Sequence, residues 1–435
     1  KLRVTRVGEK PEEERGFNKK SGWINLNRPS LMVDPVIEWQ QIYKEAWRLQ
    51  RDHFWVEDMS TLNWQGVYDR YWPLLERVST REEFNDLLWE MQGELATSHA
   101  YVSGGDLKPS PNWRVGSLAA DFEWDKIRQA YKITAIAKGD VWNPQLSSPL
   151  LTPGSQIKVG DYILAIDKVS LSADITPQRA LLQKAGREVE LTIQGIKDKV
   201  SRHVSVKTLW TQTPVLYRDW VEHNRAHIHK QSNGKVGYIH IPDMSPAGYA
   251  EFHRSFLQEV DKEGLIIDAR YNGGGNVSQL LLEKLARRRL GYDVTRWMGD
   301  VPYPEDAPLG PMVCITNEYA GSDGDLFSHS FKLMKLGPLI GKRTWGGVIG
   351  IWDRYHLVDG GVTTQPEFSF WFKEGGWSLE NYGTDPDIEV EYKPDDYWNS
   401  HDPQMSKAME LIEAQITAHQ EQRPDMDTKP VLRLP

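Results

Sequence analysis

The chain of 435 residues has a single cysteine, Cys314, so no disulfide can form within it. Cys314 sits in an apolar run, Met312–Ile315, without electropositive neighbours, and reads as a buried structural thiol rather than a nucleophile. Long apolar runs are missing too: none approaches the ~18 residues that a membrane-crossing helix requires. The first residues, KLRVTRVGEKPEEERGFNKK, have no initiating Met and none of the apolar centre of a secretory signal. The expectation is a cytoplasmic chain, with 1–33 as a tail or the remnant of a preceding domain. An excess of basic charge is also absent. Lys and Arg number 52 against 61 Asp and Glu, a net charge of -9, which argues against a nucleic-acid partner. No repeat of fixed period occurs.

Aromatics are abundant, with 18 Trp and 17 Tyr, enough for large aromatic cores or subunit interfaces. From 34 to 105 the apolar spacing is helical: Trp39, Ile42, Tyr43, Ala46 and Trp47, then Phe84, Leu87, Leu88 and Met91. Ser79-Thr80-Arg81-Glu82 opens a helix predicted to run to Ser98-His99, before a short strand and the Gly104-Gly105 turn. Residues 106–209 change to short β runs at 117–122, 131–137, 162–166 and 189–193, with one helical stretch at 177–185. Within them GSQIKVGDYILAIDK resembles a PDZ-like domain, a module that takes up peptide along a sheet edge or serves as a spacer. From 210 to 400, strands at 235–241, 265–269, 312–315 and 339–341 alternate with helices at 247–260, 277–290 and 325–334, the pattern of βαβ units on a largely parallel sheet. Residues 401–435 read as a C-terminal helix and tail. The whole is a multi-domain α+β chain.

Two stretches carry chemistry. Ser322 stands where an apolar strand passes into a helix with an acidic first turn, so it serves either as helix N-cap or as a nucleophile facing free backbone N–H groups. Asn272-Gly273-Gly274-Gly275-Asn276 follows another buried strand. It lacks the Gly-Lys-Ser/Thr ending of a phosphate loop, and its glycines suit close backbone approach and an oxyanion hole. A serine nucleophile needs a base. His329 lies two helical turns beyond Ser322, and His223, His227 and His229 share a polar helical segment without a well-placed acidic ligand, so no metal site is expected there. His99, beside Ser98 at an element boundary, is the better-placed histidine.

GELATSHAYVSGGD (93–106), GLIIDARYNGGGNVS (264–278), NEYAGSDGD (317–325) and SLENYGTDPD (378–387) occur in that order, and the region 39–398 carrying them resembles the C-terminal half of the tricorn protease family, related to the C-terminal processing proteases. The resemblance implies a helical segment, a PDZ-like domain and a crotonase/ClpP-like α/β domain. It implies a serine peptidase that cleaves short peptides downstream of a larger protease, without cofactor or metal. Ser322 would be the nucleophile, His99 the base, and Ser98 with Glu380 the rest of a tetrad. Gly275 and Asp323 would supply oxyanion donors, Gly274 would line the substrate path, and Asp293, 29 positions before Ser322, would favour basic P1 side chains. Glu374 and Asp385 compete with Glu380 by proximity. The resemblance further implies a homo-oligomeric ring, a hexamer, with peptides as the partners and no membrane. Related processing proteases use a Ser–Lys dyad, but Gly347 occupies the position matching their lysine. The family's N-terminal β-propellers have no counterpart in this sequence. A non-enzymatic PDZ-type scaffold and a crotonase-like acyl-transfer enzyme are the alternatives.

Overall fold

Helix α1, Pro35–His53, begins with Asp34 accepting a bond from Val36 N, and Pro35 fills a first-turn position that needs no N–H. The structure is a computed structural model describing residues 2–432 other than 9–15, 29, 141, 199, 353 and 420; part of the expected N-terminal tail thus lies outside the described residues. The chain forms two compact units, residues 1–107 with 351–368, and residues 108–350 with 369–435.

In the first unit α1 is followed by α2 (Trp64–Tyr71) and α3 (Arg81–Gly93). Ile42, Tyr43 and Ala46 of α1 pack with Phe84, Leu88 and Met91 of α3 in one core; burying each large side chain contributes about 1.5–3 kcal/mol. Thr80 and Glu83 close a reciprocal capping box at the start of α3. The predicted extension to Ser98-His99 does not occur. Ala96 (φ 50°) and His99 (φ 61°) adopt left-handed backbone, through which a right-handed helix cannot continue. The late segment 351–368 completes this unit: Val362–Thr363 pairs antiparallel with Val102–Ser103, and the buried Gln50 amide donates to Thr364 O at 2.9 Å.

The second unit opens with an antiparallel sheet of β1 (Ala120–Asp125), β2 (Ala130–Ile136), β3 (Tyr162–Ile166), β4 (Glu188–Gln194) and β5 (Arg202–Lys207), neighbours in that order. The helix expected at 177–185 is a single turn, α4 (Pro177–Ala180). Strand β5 escaped the sequence reading because only Val204 and Val206 punctuate a polar run, and it gains its place by pairing with β4.

Next come α5 (Thr213–Gln231), β6 (Val236–His240), α6 (Pro246–Glu259), β7 (Gly264–Asp268), α7 (Ser278–Leu285), the hairpin β8 (Gly291–Thr295) and β9 (Gly299–Tyr303), β10 (Met312–Thr316), α8 (Asp323–Leu333), β11 (Leu339–Gly341), β12 (Ile388–Glu389) and α9 (Pro403–Ala418). Strands β6-β7-β10-β11-β12 form one parallel sheet. Every residue of β6, β7 and β10 is buried, as a parallel sheet covered on both faces demands. Leu265, Ile267 and Cys314 face Phe252, Phe256, Leu281 and Phe327, while Ile266, Val313 and Ile315 face Ile228, Met409 and Ile412. Helix α7 ends at Leu285, short of the predicted 290, and the β8–β9 hairpin takes up the following chain; the largely exposed residues of that hairpin supplied no apolar periodicity to announce it. The loops after β6, β7 and β10 gather at the carboxyl ends of their strands, where open α/β sheets commonly bind ligands.

Candidate active site

Ser322 occupies the cap position of α8 with φ 58° and ψ −123°, and its side chain makes no cap hydrogen bond. That backbone conformation is costly for a residue with a Cβ, by about 1–3 kcal/mol. A serine serving as a plain N-cap would adopt extended backbone and accept from the helix's first N–H groups. This one is held on a strained turn instead. Asp325 ties this turn to the 344–347 loop: its carboxylate accepts from the Ser322 backbone N–H, from Gly346 N at 2.8 Å, from Gly347 N at 3.3 Å and from the Thr344 side chain. Burial raises the Asp325 pKa to about 6 against the lowering pull of those bonds.

The Gly-rich loop after β7 lies directly against this turn. Gly274 (φ 77°) has no room for a side chain: a Cβ there would approach the Ser322 Cβ at 2.5 Å. Gly275 (φ 148°) is equally confined, since its Cβ would meet Met244 O at 2.1 Å. Gly321 N donates to Asn272 O at 3.0 Å, and Gly274 N donates to Asn272 Oδ1 at 3.0 Å, so one buried asparagine ties the two loops together. Asp323 adds a second tie, accepting from Ser278 N at 3.0 Å and from Ser278 Oγ at 2.5 Å at the start of α7. As the first helical residue, Asp323 has a backbone N–H without an intrahelical acceptor. The structure therefore brings Ser322, Asp323, Gly274 and Gly275 together.

No lysine occupies this neighbourhood's dyad position. Gly347 donates its N–H to Asp325, Lys342 pairs with Glu389 and Glu391, and Arg343 binds Asp385 at 2.9 Å. Asp385 also accepts from the Tyr382 hydroxyl at 2.8 Å, so it is occupied elsewhere. Glu380 Oε2 accepts from Val348 N at 2.8 Å and from Ile349 N at 3.0 Å, which fixes that carboxylate on the chain just beyond Gly347.

In the first unit Ser98 Oγ lies 2.9 Å from His99 Nδ1, a contact that orients the imidazole and that the hydroxyl makes as donor or as acceptor according to the tautomer. His99 is buried. Thr364 clamps it from behind: its hydroxyl accepts from Tyr101 N at 2.8 Å and donates to His99 O. His329 lies on α8 with its ring against Phe372 at 4.5 Å, and burial lowers its pKa. His229 is paired with Glu259 at 2.8 Å. Asp293 is exposed in β8 opposite Val301, and among the described contacts nothing ties it to the Ser322 turn. The base of its hairpin, Gly291 and Tyr292, lines a cavity with Met312, at the opposite end of β10 from Ser322. Burial holds the Cys314 thiol well above its ordinary pKa, as its apolar strand implied.

The sequence reading missed Asp325 and Thr364. Asp325 counted there only as an acidic residue in a helix's first turn, and Thr364 lies far along the chain in a segment without periodic signal.

Residues 235–390 match Peptidase family S41, residues 35–93 match the Tricorn protease C1 domain, and residues 116–211 match the Tricorn protease PDZ domain. A Tricorn protease homolog of Saccharolobus solfataricus is 45% identical over 95% of this chain and 38% of its own length. Tricorn protease homolog 1 of Streptomyces coelicolor is 43% identical over 90% of this chain and 37% of its own. The crystal structure of the tricorn protease matches with a TM-score of 0.86 at 42% identity, covering 90% of this chain and 38% of that one. The chain thus spans well under half the length of these relatives. With the strained serine turn and the Gly-rich loop against it, the chain carries a Peptidase family S41 domain beside Tricorn protease C1 and PDZ domains, and is similar along nearly its whole length to one part of the tricorn proteases.

Proposed function

We propose that the chain is the catalytic part of a serine peptidase that hydrolyses short peptides. The observation that carries this reading is Ser322 itself, uncapped and strained, with Gly274 in contact behind it. His99 takes the Ser322 Oγ proton as the oxygen attacks the scissile carbonyl. Ser98 holds the imidazole by its Nδ1, and Glu380 completes the tetrad. The backbone N–H groups of Gly275 and Asp323 donate to the tetrahedral oxyanion, each contributing about 3–4 kcal/mol by comparison with other such sites. The imidazolium then protonates the leaving amine, and water activated by His99 hydrolyses the acyl-enzyme. Asp293 selects Lys or Arg at P1. Its exposed position on the β8–β9 hairpin fits delivery by a second copy of the chain, in keeping with a homo-oligomeric ring, a hexamer by family resemblance.

Incubation with a fluorophosphonate, or with a chloromethyl ketone bearing a basic P1 residue, tests the mechanism. Labelling at Ser322 that disappears in His99→Ala supports it, and absence of labelling on folded protein refutes it. Asp293→Asn is expected to weaken cleavage after Lys and Arg more than after Phe. An unchanged ratio removes Asp293 from the S1 pocket.

A further inference from the structure

Two exposed tyrosine rings stack on each other on the two loops that form the proposed nucleophile machinery. Tyr271 immediately precedes the Asn272–Gly275 loop, and Tyr319 lies three residues before Ser322. Their rings stack at 5.5 Å with 19° between planes, yet Tyr271 is 56% and Tyr319 64% exposed. Aromatic rings normally find their stability in burial, so a displayed, ordered pair is a surface prepared for a partner.

The display is built, not incidental. Tyr271 holds a left-handed backbone, φ 60°, which is uncommon for a bulky residue and concentrates at functional positions. One buried side chain maintains it: Asn317 Oδ1 accepts from Tyr271 N at 3.0 Å and from Tyr319 N at 3.2 Å. A single amide oxygen therefore ties together the two backbone positions that carry the rings. Tyr271 also borders a cavity of about 470 Å³ whose walls include Trp220, Tyr217 and Tyr392, a volume ample for a large side chain. Aromatic surface thus runs from the nucleophile turn into a recess at the carboxyl ends of the strands. The same two loops that present the oxyanion donors present these rings, which makes the occupant a peptide seated at the nucleophile.

We propose that the Tyr271–Tyr319 stack is a substrate subsite that receives an aromatic or bulky apolar side chain of the bound peptide, within three residues of the scissile bond on one side of it. This rests on the serine peptidase reading. It adds a substrate class: peptides carrying such a side chain near the cleaved bond, in addition to whatever occupies P1.

The test uses Ser322→Ala protein and fluorescent peptides that differ only by Phe or Gly at each of the three positions on either side of the central bond, with binding read by anisotropy. At one position Phe is expected to bind at least about fivefold tighter than Gly, and Tyr319→Ala and Tyr271→Asn, each added to Ser322→Ala, should bring that ratio within about twofold, as loss of ring contacts implies. Asn tolerates left-handed backbone, so Tyr271→Asn keeps the loop's conformation while removing the ring. Tyr319→Phe should keep the preference. In protein retaining Ser322 the preference should appear in KM more than in kcat. A Phe-over-Gly ratio that survives both tyrosine substitutions, or no position with such a ratio, overturns the subsite. Binding with the ring-dependent preference but no hydrolysis by the Ser322 protein removes the peptidase reading and leaves the subsite. Hydrolysis without a Phe effect does the reverse.

Discussion

Gly274 lies so close to Ser322 that a Cβ on the glycine would sit 2.5 Å from the serine's Cβ and 2.8 Å from Gly321 O. Neither neighbour can step aside, because Gly321 N is bonded to Asn272 O and Ser322 is already in a strained conformation. Gly274→Ala is therefore expected to separate the Gly-rich loop from the Ser322 turn. Cleavage, measured as kcat/KM, should fall by about 100-fold or more, the size of losing an aligned oxyanion donor. Wild-type rates of phosphonate labelling in this variant would show that the close approach is dispensable.

Thr364 makes a comparable contact behind the proposed base. Its hydroxyl accepts the Tyr101 N–H and donates to the His99 carbonyl, bridging a left-handed residue. Thr364→Val keeps the shape and removes both bonds, leaving a backbone donor and acceptor unpaired at a cost of about 1–3 kcal/mol each at most. The expected result is a fall in kcat of about tenfold with little change in KM, the pattern of a misplaced general base. Thr364→Ser should restore it. An equal loss in the Ser and Val variants would show that the methyl packing, not the hydroxyl, matters.

What the sequence revealed and what it hid divide along a physical line. Buried parallel strands such as Leu265–Asp268 announce themselves as continuous apolar runs, and the glycines at 273–275 announce a close approach. The residues around Ser322 left a choice between cap and nucleophile, and the family resemblance pointed to the nucleophile; its φ and ψ, which no residue type encodes, are not those of a plain cap. Strand β5 and the β8–β9 hairpin were hidden because pairing rather than apolar patterning maintains them. Thr364 was hidden for another reason: its partner His99 lies 265 residues away, and such a contact exists only after folding. Asp325 was in plain view with the wrong role, since helix-start statistics describe the commonest use of an acid there, not this one.

The return of residues 351–368 to the first unit rests on a buried ion pair. Arg81 Nε lies 2.6 Å from Asp359 Oδ2, with side chains 4% and 1% exposed. Burial alone would raise the Asp359 pKa, but the Arg81 bond and the Gly361 and Asp106 N–H groups outweigh it and lower it. The stability contributed is thus present above the unfolded carboxylate pKa and lost as pH falls through the lowered folded value. Asp359→Ala strands a buried guanidinium and should cost about 3–5 kcal/mol, read by urea unfolding. A loss below about 1 kcal/mol would mean that water reaches Arg81 and screens it.

Asp325 gives the opposite sign. Desolvation raises its folded pKa to about 6, above the unfolded value of about 3.9. Protonation is favoured by folding, so its contribution to stability is complete below about pH 4 and disappears as pH rises through about 6. Its own helix carries Asp323 and His329, and the 344–347 loop bonded to it is preceded by Arg343 and followed by Val348 and Ile349, whose N–H groups bind Glu380. All of them remain in Asp325→Asn, so the difference between the two proteins isolates Asp325. Asn keeps one acceptor and carries no charge. Wild type should accordingly lose stability relative to Asp325→Asn between pH 4 and 7, by on the order of 3 kcal/mol for a two-unit shift. The charged form nevertheless receives the Gly346, Gly347 and Ser322 N–H groups, so the variant is expected to lose activity at pH 7 while gaining stability. This is the exchange seen where a strained site is held by an expensive buried charge. Urea midpoints of both proteins across this range, with kcat/KM at each pH, decide it; a stability difference independent of pH would mean that Asp325 does not titrate there.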